Sequence, residues 1–179
     1  MKLKITLMIV AALLAPVVVP LHGADQGNSQ ERPDAVAVAK KLMERARYCA
    51  LVTIGPDGRA EARTLDAFPP EADMTVWLAT NAASRKVEQI RNNPHVTLFY
   101  WDQPSMGYVT VIGDAALVDE PAEKAKRWKP EWSGFYSDAN RGADYLLIRV
   151  RPLRLEIVSF ADGLFNDPAT GRPVQHQFR

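Results

Sequence analysis

The sequence predicts a mainly β (α+β) domain: a six- to seven-stranded antiparallel barrel with flanking helices. Three observations carry this. Apolar runs of strand length recur from Cys49 to Phe160, most of the links between them are short and punctuated by Gly, Pro and Asp, and helical periodicity is confined to the margins. A doubly wound parallel sheet would need a helix after nearly every strand, and the chain does not supply them.

The elements follow in order. Lys2 and Lys4 precede an apolar run from Ile5 to Val19, and "PLHGA" follows, so residues 1–24 read as a secretory signal. Ala24 suits the last position before cleavage, whereas His22 is a poor residue two places earlier. Pro16, Pro20 and the short run argue against the alternative of an uncleaved anchor. The expectation is an exported chain, periplasmic or secreted, with no membrane attachment once the signal is removed. Residues 25–33 form a polar lead-in. The barrel domain spans 34–165 and a tail 166–179.

Pro33 and Asp34 open a helix with Val36, Ala39, Leu42, Met43 and Ala46 on one face. "CALVTI", "GPDG" and "RAEARTLDAF" read as strand, tight turn and strand. "MTVWLAT" and "HVTLFYW" are the third and fourth strands, separated by a short helix over "RKVEQIRNN". "GYVTVIGDAALV" is long enough to need a bend, which Gly113 supplies as a bulge or kink. "DEPAEKAKRW" is a short helix, with Asp119 placed to cap it and Pro121 in its first turn. "DYLLIRVRP" and "LRLEIVSF" complete the set as two further strands.

Composition narrows the function. The 179 residues are 47% hydrophobic and 24% charged, ordinary for one globular domain. Without residues 1–24 the chain holds 20 basic and 21 acidic side chains, net −1, so no global basic field draws it to nucleic acid. Cys49 is the only cysteine, which excludes an internal disulfide, and its neighbours in "YCALVTI" mark it as a buried, inert thiol. Beyond residue 24 only His95 and His176 remain, with no pair at ligand spacing, so no metal site is expected.

One segment stands apart. Ser84, Arg85 and Lys86 sit where a strand gives way to a helix, and the free N–H groups of a helix start suit an anion. A Ser donor with two cations makes a phosphate site chemically sensible, although the tripeptide alone also fits a solvated first turn. Arg63 shares a strand face with Leu65. If it converges with Arg85, an anion is the expected reason, because unpaired cations do not cluster.

The stretch "ATNAASRKVEQIRNNPHVTLFYW", continuing into "GYVTVIG" and preceded by "DGRAEARTLDAF", resembles the pyridoxamine 5′-phosphate oxidase family, the FMN-binding split barrels. The similarity covers roughly residues 36–158. It implies that Arg63, Arg85 and Lys86 hold the FMN phosphate, that Thr64 and Leu65 approach the flavin ring, and that Ala79 and Thr80 also touch the cofactor. Ser84 adds a donor, and Tyr108 takes the place of a Gln that such enzymes often carry near the flavin. The resemblance further implies a homodimer with the flavin at the subunit interface and hydride transfer between a small organic substrate and FMN.

Departures from the family pattern temper the activity. Phe68 stands where the oxidases proper have a Lys, and the tail "FADGLFNDPATGRPVQHQFR" lacks their Trp and Arg-Leu segment, so pyridoxal phosphate as product loses its warrant. The pattern is closer to the general-stress-protein branch. A stress protein that binds a flavin or phosphate ligand without turnover is the alternative, as is a haem-binding use of the barrel through His95 or His176; the motif also admits a deazaflavin. The aromatic segment of Trp128, Trp132, Phe135 and Tyr136 is expected to pack a loop onto the barrel, with a wall over the flavin or a lid at the dimer interface as the other reading.

Overall fold

The computed structural model describes residues 33–136 and 142–179. The segment read as a signal, 1–24, and nearly all of the lead-in lie outside them. Helix α1, Ala35–Ala46, begins at Asp34, whose carboxylate accepts from the Val36 and Ala37 N–H groups at 3.0 and 3.4 Å. Such a cap contributes about 1 kcal/mol. Val38, Ala39, Leu42 and Met43 bury the face that α1 turns to the barrel, with Val36 and Ala46 at its margin.

The strands are β1 (Tyr48–Ile54), β2 (Ala60–Asp66), β3 (Val76–Asn81), β4 (His95–Asp102), β5 (Gly107–Val118), β6 (Tyr145–Val158) and β7 (Val174–Gln177). All pair antiparallel, in the order β2-β1-β4-β5-β6-β3, with β7 on the free part of β6. The ends of that order meet: Ala67 bridges Leu78, and the Phe68 N–H donates to the Trp77 carbonyl at 2.9 Å. β2 and β3 touch there and diverge beyond it, which leaves the barrel split along one seam. Leu51, Leu98, Val109, Val111, Leu155 and Ile157 fill the interior. Cys49 is among them, and burial pushes its thiol up to about 12, so it stays protonated and unreactive at neutral pH.

Three expectations change. "DYLLIRVRP" and "LRLEIVSF" form one strand of 14 residues, β6, rather than two. Pro152 does not end it, because the ladder shifts register there: Gly113 faces Pro152 and Ile112 faces Arg154, leaving Leu153 as the extra residue of a bulge. The bend lets β6 pair with β3 through its first half and with β7 through its second. Helix α3 is short, Pro121–Lys126, and its N-cap is Glu120. Pro121 takes the first helical position, which leaves Asp119 one residue too early to cap; its carboxylate accepts instead from Lys124 Nζ at 2.7 Å. The tail contributes β7 to the sheet, with Val174 and Phe178 against the core.

Asp102, at the end of β4, ties α1 to the barrel. It accepts from Arg45 Nε at 2.7 Å and from the Ser105 N–H at 3.0 Å, and a second Arg45 nitrogen and the Ser105 hydroxyl complete its shell. These donors, Arg45 foremost, hold its carboxyl below the usual range. A depressed carboxylate stabilises the fold above its unfolded pKa of about 3.9, and that stability is lost as pH falls through the folded value. Thermal melts of wild type and Asp102→Asn should therefore differ most above about pH 4 and converge below it. Curves that run parallel from pH 6 to pH 2.5 would remove Asp102 from the acid response.

Candidate functional site

The β1–β2 hairpin and the junction between β3 and helix α2 (Arg85–Asn92) build the site. The Asn81 carboxamide accepts from the Ala83 N–H at 2.8 Å and turns the chain out of β3. Helix α2, Arg85–Asn92, then starts over the open end of the seam. Val87 and Ile90 anchor it to the barrel, which fixes Arg85 and Lys86 at the first turn near β2.

Arg63 points inward from β2, opposite Leu51. It is held by three partners besides its strand neighbour: its Nη1 donates to Thr53 Oγ1 at 2.6 Å and to the Leu51 carbonyl at 3.3 Å, and its Nη2 to Gln89 Oε1 at 3.1 Å. Thr53 and Gln89 are buried and bonded to each other at 2.6 Å. That network fixes the guanidinium plane. Lys86 Nζ donates to Thr80 Oγ1 at 3.0 Å, and that hydroxyl lies 3.0 Å from Ser84 Oγ.

The cations feel one another. Burial is the largest influence on Lys86 and lowers its pKa, and Arg63 and Arg85 lower it further. Burial is also the largest influence on Arg63 and lowers its pKa; Glu61 raises it in part, and Arg85 lowers it further. Among the described residues, Glu61 is the carboxylate paired with Arg63 and Arg85, at 3.3 and 3.1 Å, and none pairs with Lys86. Three positive charges with one carboxylate form a cluster short of negative charge.

A cleft of about 490 Å³ opens beside the cluster along the seam, within the ~300–1,000 Å³ of small-molecule sites. Thr64, Leu65, Ala79, Thr80 and Lys86 line it, so five of the nine residues expected at the site share one cavity. Its far wall is aromatic: Tyr48, Trp132, Phe135 and Tyr136. Arg85 and Glu61 border a second hollow of about 470 Å³ with Gln89. Tyr108 is not brought to the cleft; it lies on the outer face of β5, its ring 5.6 Å from Phe99.

The aromatic segment packs onto the barrel and also lines the cleft. Trp132 is buried against Trp77 and Tyr145, with Phe68 edge-on at 5.4 Å and Trp128 and Tyr136 around it. Phe135, 76% exposed, projects at the cleft mouth. Phe68 is covered by the Lys129 ammonium, 4.8 Å from its ring centroid, and Lys129 pairs with Asp66 at 2.9 Å. The tyrosine hydroxyl of Tyr136 is pushed up to about 12, chiefly by burial, and is no proton donor of matched strength near neutral pH.

Sequence reasoning missed Thr53, Gln89 and Glu61. Gln89 gives one signal, a polar residue between the apolar Val87 and Ile90 on the buried face of α2. The other two require the hairpin register, which sets Thr53 opposite Glu61.

The sequence matches the family model described as Pyridoxamine 5'-phosphate oxidase over residues 36–159. No curated protein matches it. Among solved structures, the fold is similar to a protein related to general stress protein 26 from Clostridium acetobutylicum, with a TM-score of 0.66 at 15% identity over 79% of this chain and 93% of that one. General Stress Protein 26 from Bacillus anthracis gives 0.63 at 20% identity, over 78% and 95% of the two chains. A pyridoxamine 5'-phosphate oxidase-related, FMN binding protein from Nostoc punctiforme gives 0.59 at 17%, over 82% and 97%.

Proposed function

The chain belongs to the pyridoxamine 5′-phosphate oxidase family, and from that premise we propose that it binds FMN in the seam cleft and uses it as an oxidoreductase. The observation that carries this reading is the cluster of Arg63, Arg85 and Lys86, which is short of negative charge and reaches a cleft of about 490 Å³ through Lys86. A phosphate brings about −1.5 to −2 charges and several acceptor oxygens, which matches three cations and one carboxylate. Arg63 and Arg85 would hold it with Lys86, while Thr64, Leu65, Ala79 and Thr80 would face the ring system. The flavin supplies two-electron hydride chemistry with a small organic substrate, and the protein supplies position, exclusion of water and electrostatics. His95 and His176 are both absent from the lining of the cleft, so no observation favours haem.

The outer face of the sheet supports a homodimer as part of the same proposal. Tyr48, Phe99 and Trp101 are 53, 39 and 50% exposed there, and Tyr108 stacks beside Phe99. Exposed aromatic surface of this kind marks an interaction site. A second copy covering it would place its own surface beside Tyr48, at the edge of the cleft. Titration with FMN, followed by flavin fluorescence, should saturate at one flavin per chain, with the complex sedimenting at the mass of two chains. Absence of saturable binding would sink the proposal, and a bound flavin that no donor reduces would reduce it to a carrier role.

A further inference from the structure

We infer that Glu61 is the resident occupant of the anion seat between Arg63 and Arg85, a carboxylate that a ligand phosphate must displace, and that it thereby sets the charge selectivity of the site. The inference rests on the phosphate-binding reading above and deepens it. Glu61 Oε2 lies 3.3 Å from Arg63 Nη2 and 3.1 Å from Arg85 Nη2, so one oxygen engages both guanidinium groups. Those are the donors a phosphate would use. Strand geometry puts the acid there, because residues two apart on β2 share a face and Arg85 starts the helix above that face.

The two contacts differ in how firmly they are held. Arg85 is 82% exposed and free to swing, whereas Arg63 is 18% exposed and remains fixed by Thr53 and Gln89 when Glu61 leaves. Glu61 also borders the second hollow of about 470 Å³, which gives its side chain room to move aside. Exchange then discriminates by charge. A ligand carboxylate would replace one carboxylate with another and gain little, while a phosphate brings nearly twice the charge and enough oxygens to reach Lys86 as well. Glu61 lowers the affinity for every anion but lowers it most, relative to what binding returns, for singly charged ones.

The test compares wild type, Glu61→Gln and Glu61→Ala, first with FMN and riboflavin by fluorescence titration, then with inorganic phosphate by the rise in melting temperature. Glu61→Gln should bind FMN at least about five-fold tighter than wild type, with riboflavin bound alike by both. If no protein binds FMN yet phosphate raises the melting temperature of the variants more than that of wild type, the flavin reading fails and the seat stands. Variants that bind FMN more weakly than wild type would overturn the inference and make Glu61 a counter-ion that positions the arginines. Variants indistinguishable from wild type with both probes would overturn it as well.

Discussion

Arg63→Ala is expected to weaken FMN binding by roughly 10- to 100-fold while riboflavin, which lacks the phosphate, binds as it does to wild type. Hydrogen bonds to charged groups contribute about 1.5–3 kcal/mol, and each 1.4 kcal/mol is about ten-fold in Kd. Arg63 should show the full effect because Thr53 and Gln89 already orient it, unlike the solvent-exposed Arg85. The substitution also strips donors from the buried Gln89 and Thr53 oxygens, so a loss of about 1–3 kcal/mol in stability accompanies it. Paired titrations with FMN and riboflavin separate the two effects: a loss shared by both ligands is a folding defect, and a loss confined to FMN is the phosphate contact. Unchanged FMN affinity in a folded Arg63→Ala protein would remove Arg63 from the site.

The second large effect is expected from Gly113→Ala. A Cβ on Gly113 would lie 2.2 Å from the Arg151 carbonyl oxygen and 3.1 Å from the Pro152 Cα, and both are main-chain atoms that cannot rotate away. Overpacking of this kind costs about 1–3 kcal/mol, toward the upper end here because the backbone itself must shift. The damage falls on the bulge that lets β6 leave β3 and pair with β7, so denaturant unfolding should show a lowered midpoint. Chemical denaturation of wild type and variant side by side checks it; equal midpoints would mean that the bulge tolerates a side chain.

Much of this molecule was legible before its coordinates. The Asp34 cap, the tight turn at Gly55–Gly58 and the bend at Gly113 announce themselves because each depends on one residue type with a local conformational property. Gly58 takes a φ of 79°, the left-handed conformation that a side chain disfavours. Where reading failed, the deciding partner was distant in sequence. The continuity of β6 through Pro152 depends on Gly113, the tail becomes β7 because β6 offers it a free edge, and Asp119 is drawn to Lys124 once Pro121 has fixed the start of α3.

The candidate site divides along the same line. The tripeptide Ser84-Arg85-Lys86 and the hairpin Arg63 are visible as residue types in a pattern, and the sequence by itself determined that the chain carries these cations, two of them at a strand-to-helix junction. Only the tertiary structure decided that Arg63 is pinned by Thr53 and Gln89, that Glu61 is seated between two arginines, and that Thr64, Leu65, Ala79, Thr80 and Lys86 face one cleft while Tyr108 faces outward. The physical reason is range. Caps, turns and strand alternation are set by dihedral preferences a few residues long, whereas ion pairs and clefts are set by strand register and by which strands close the barrel, and those follow from packing of the whole core.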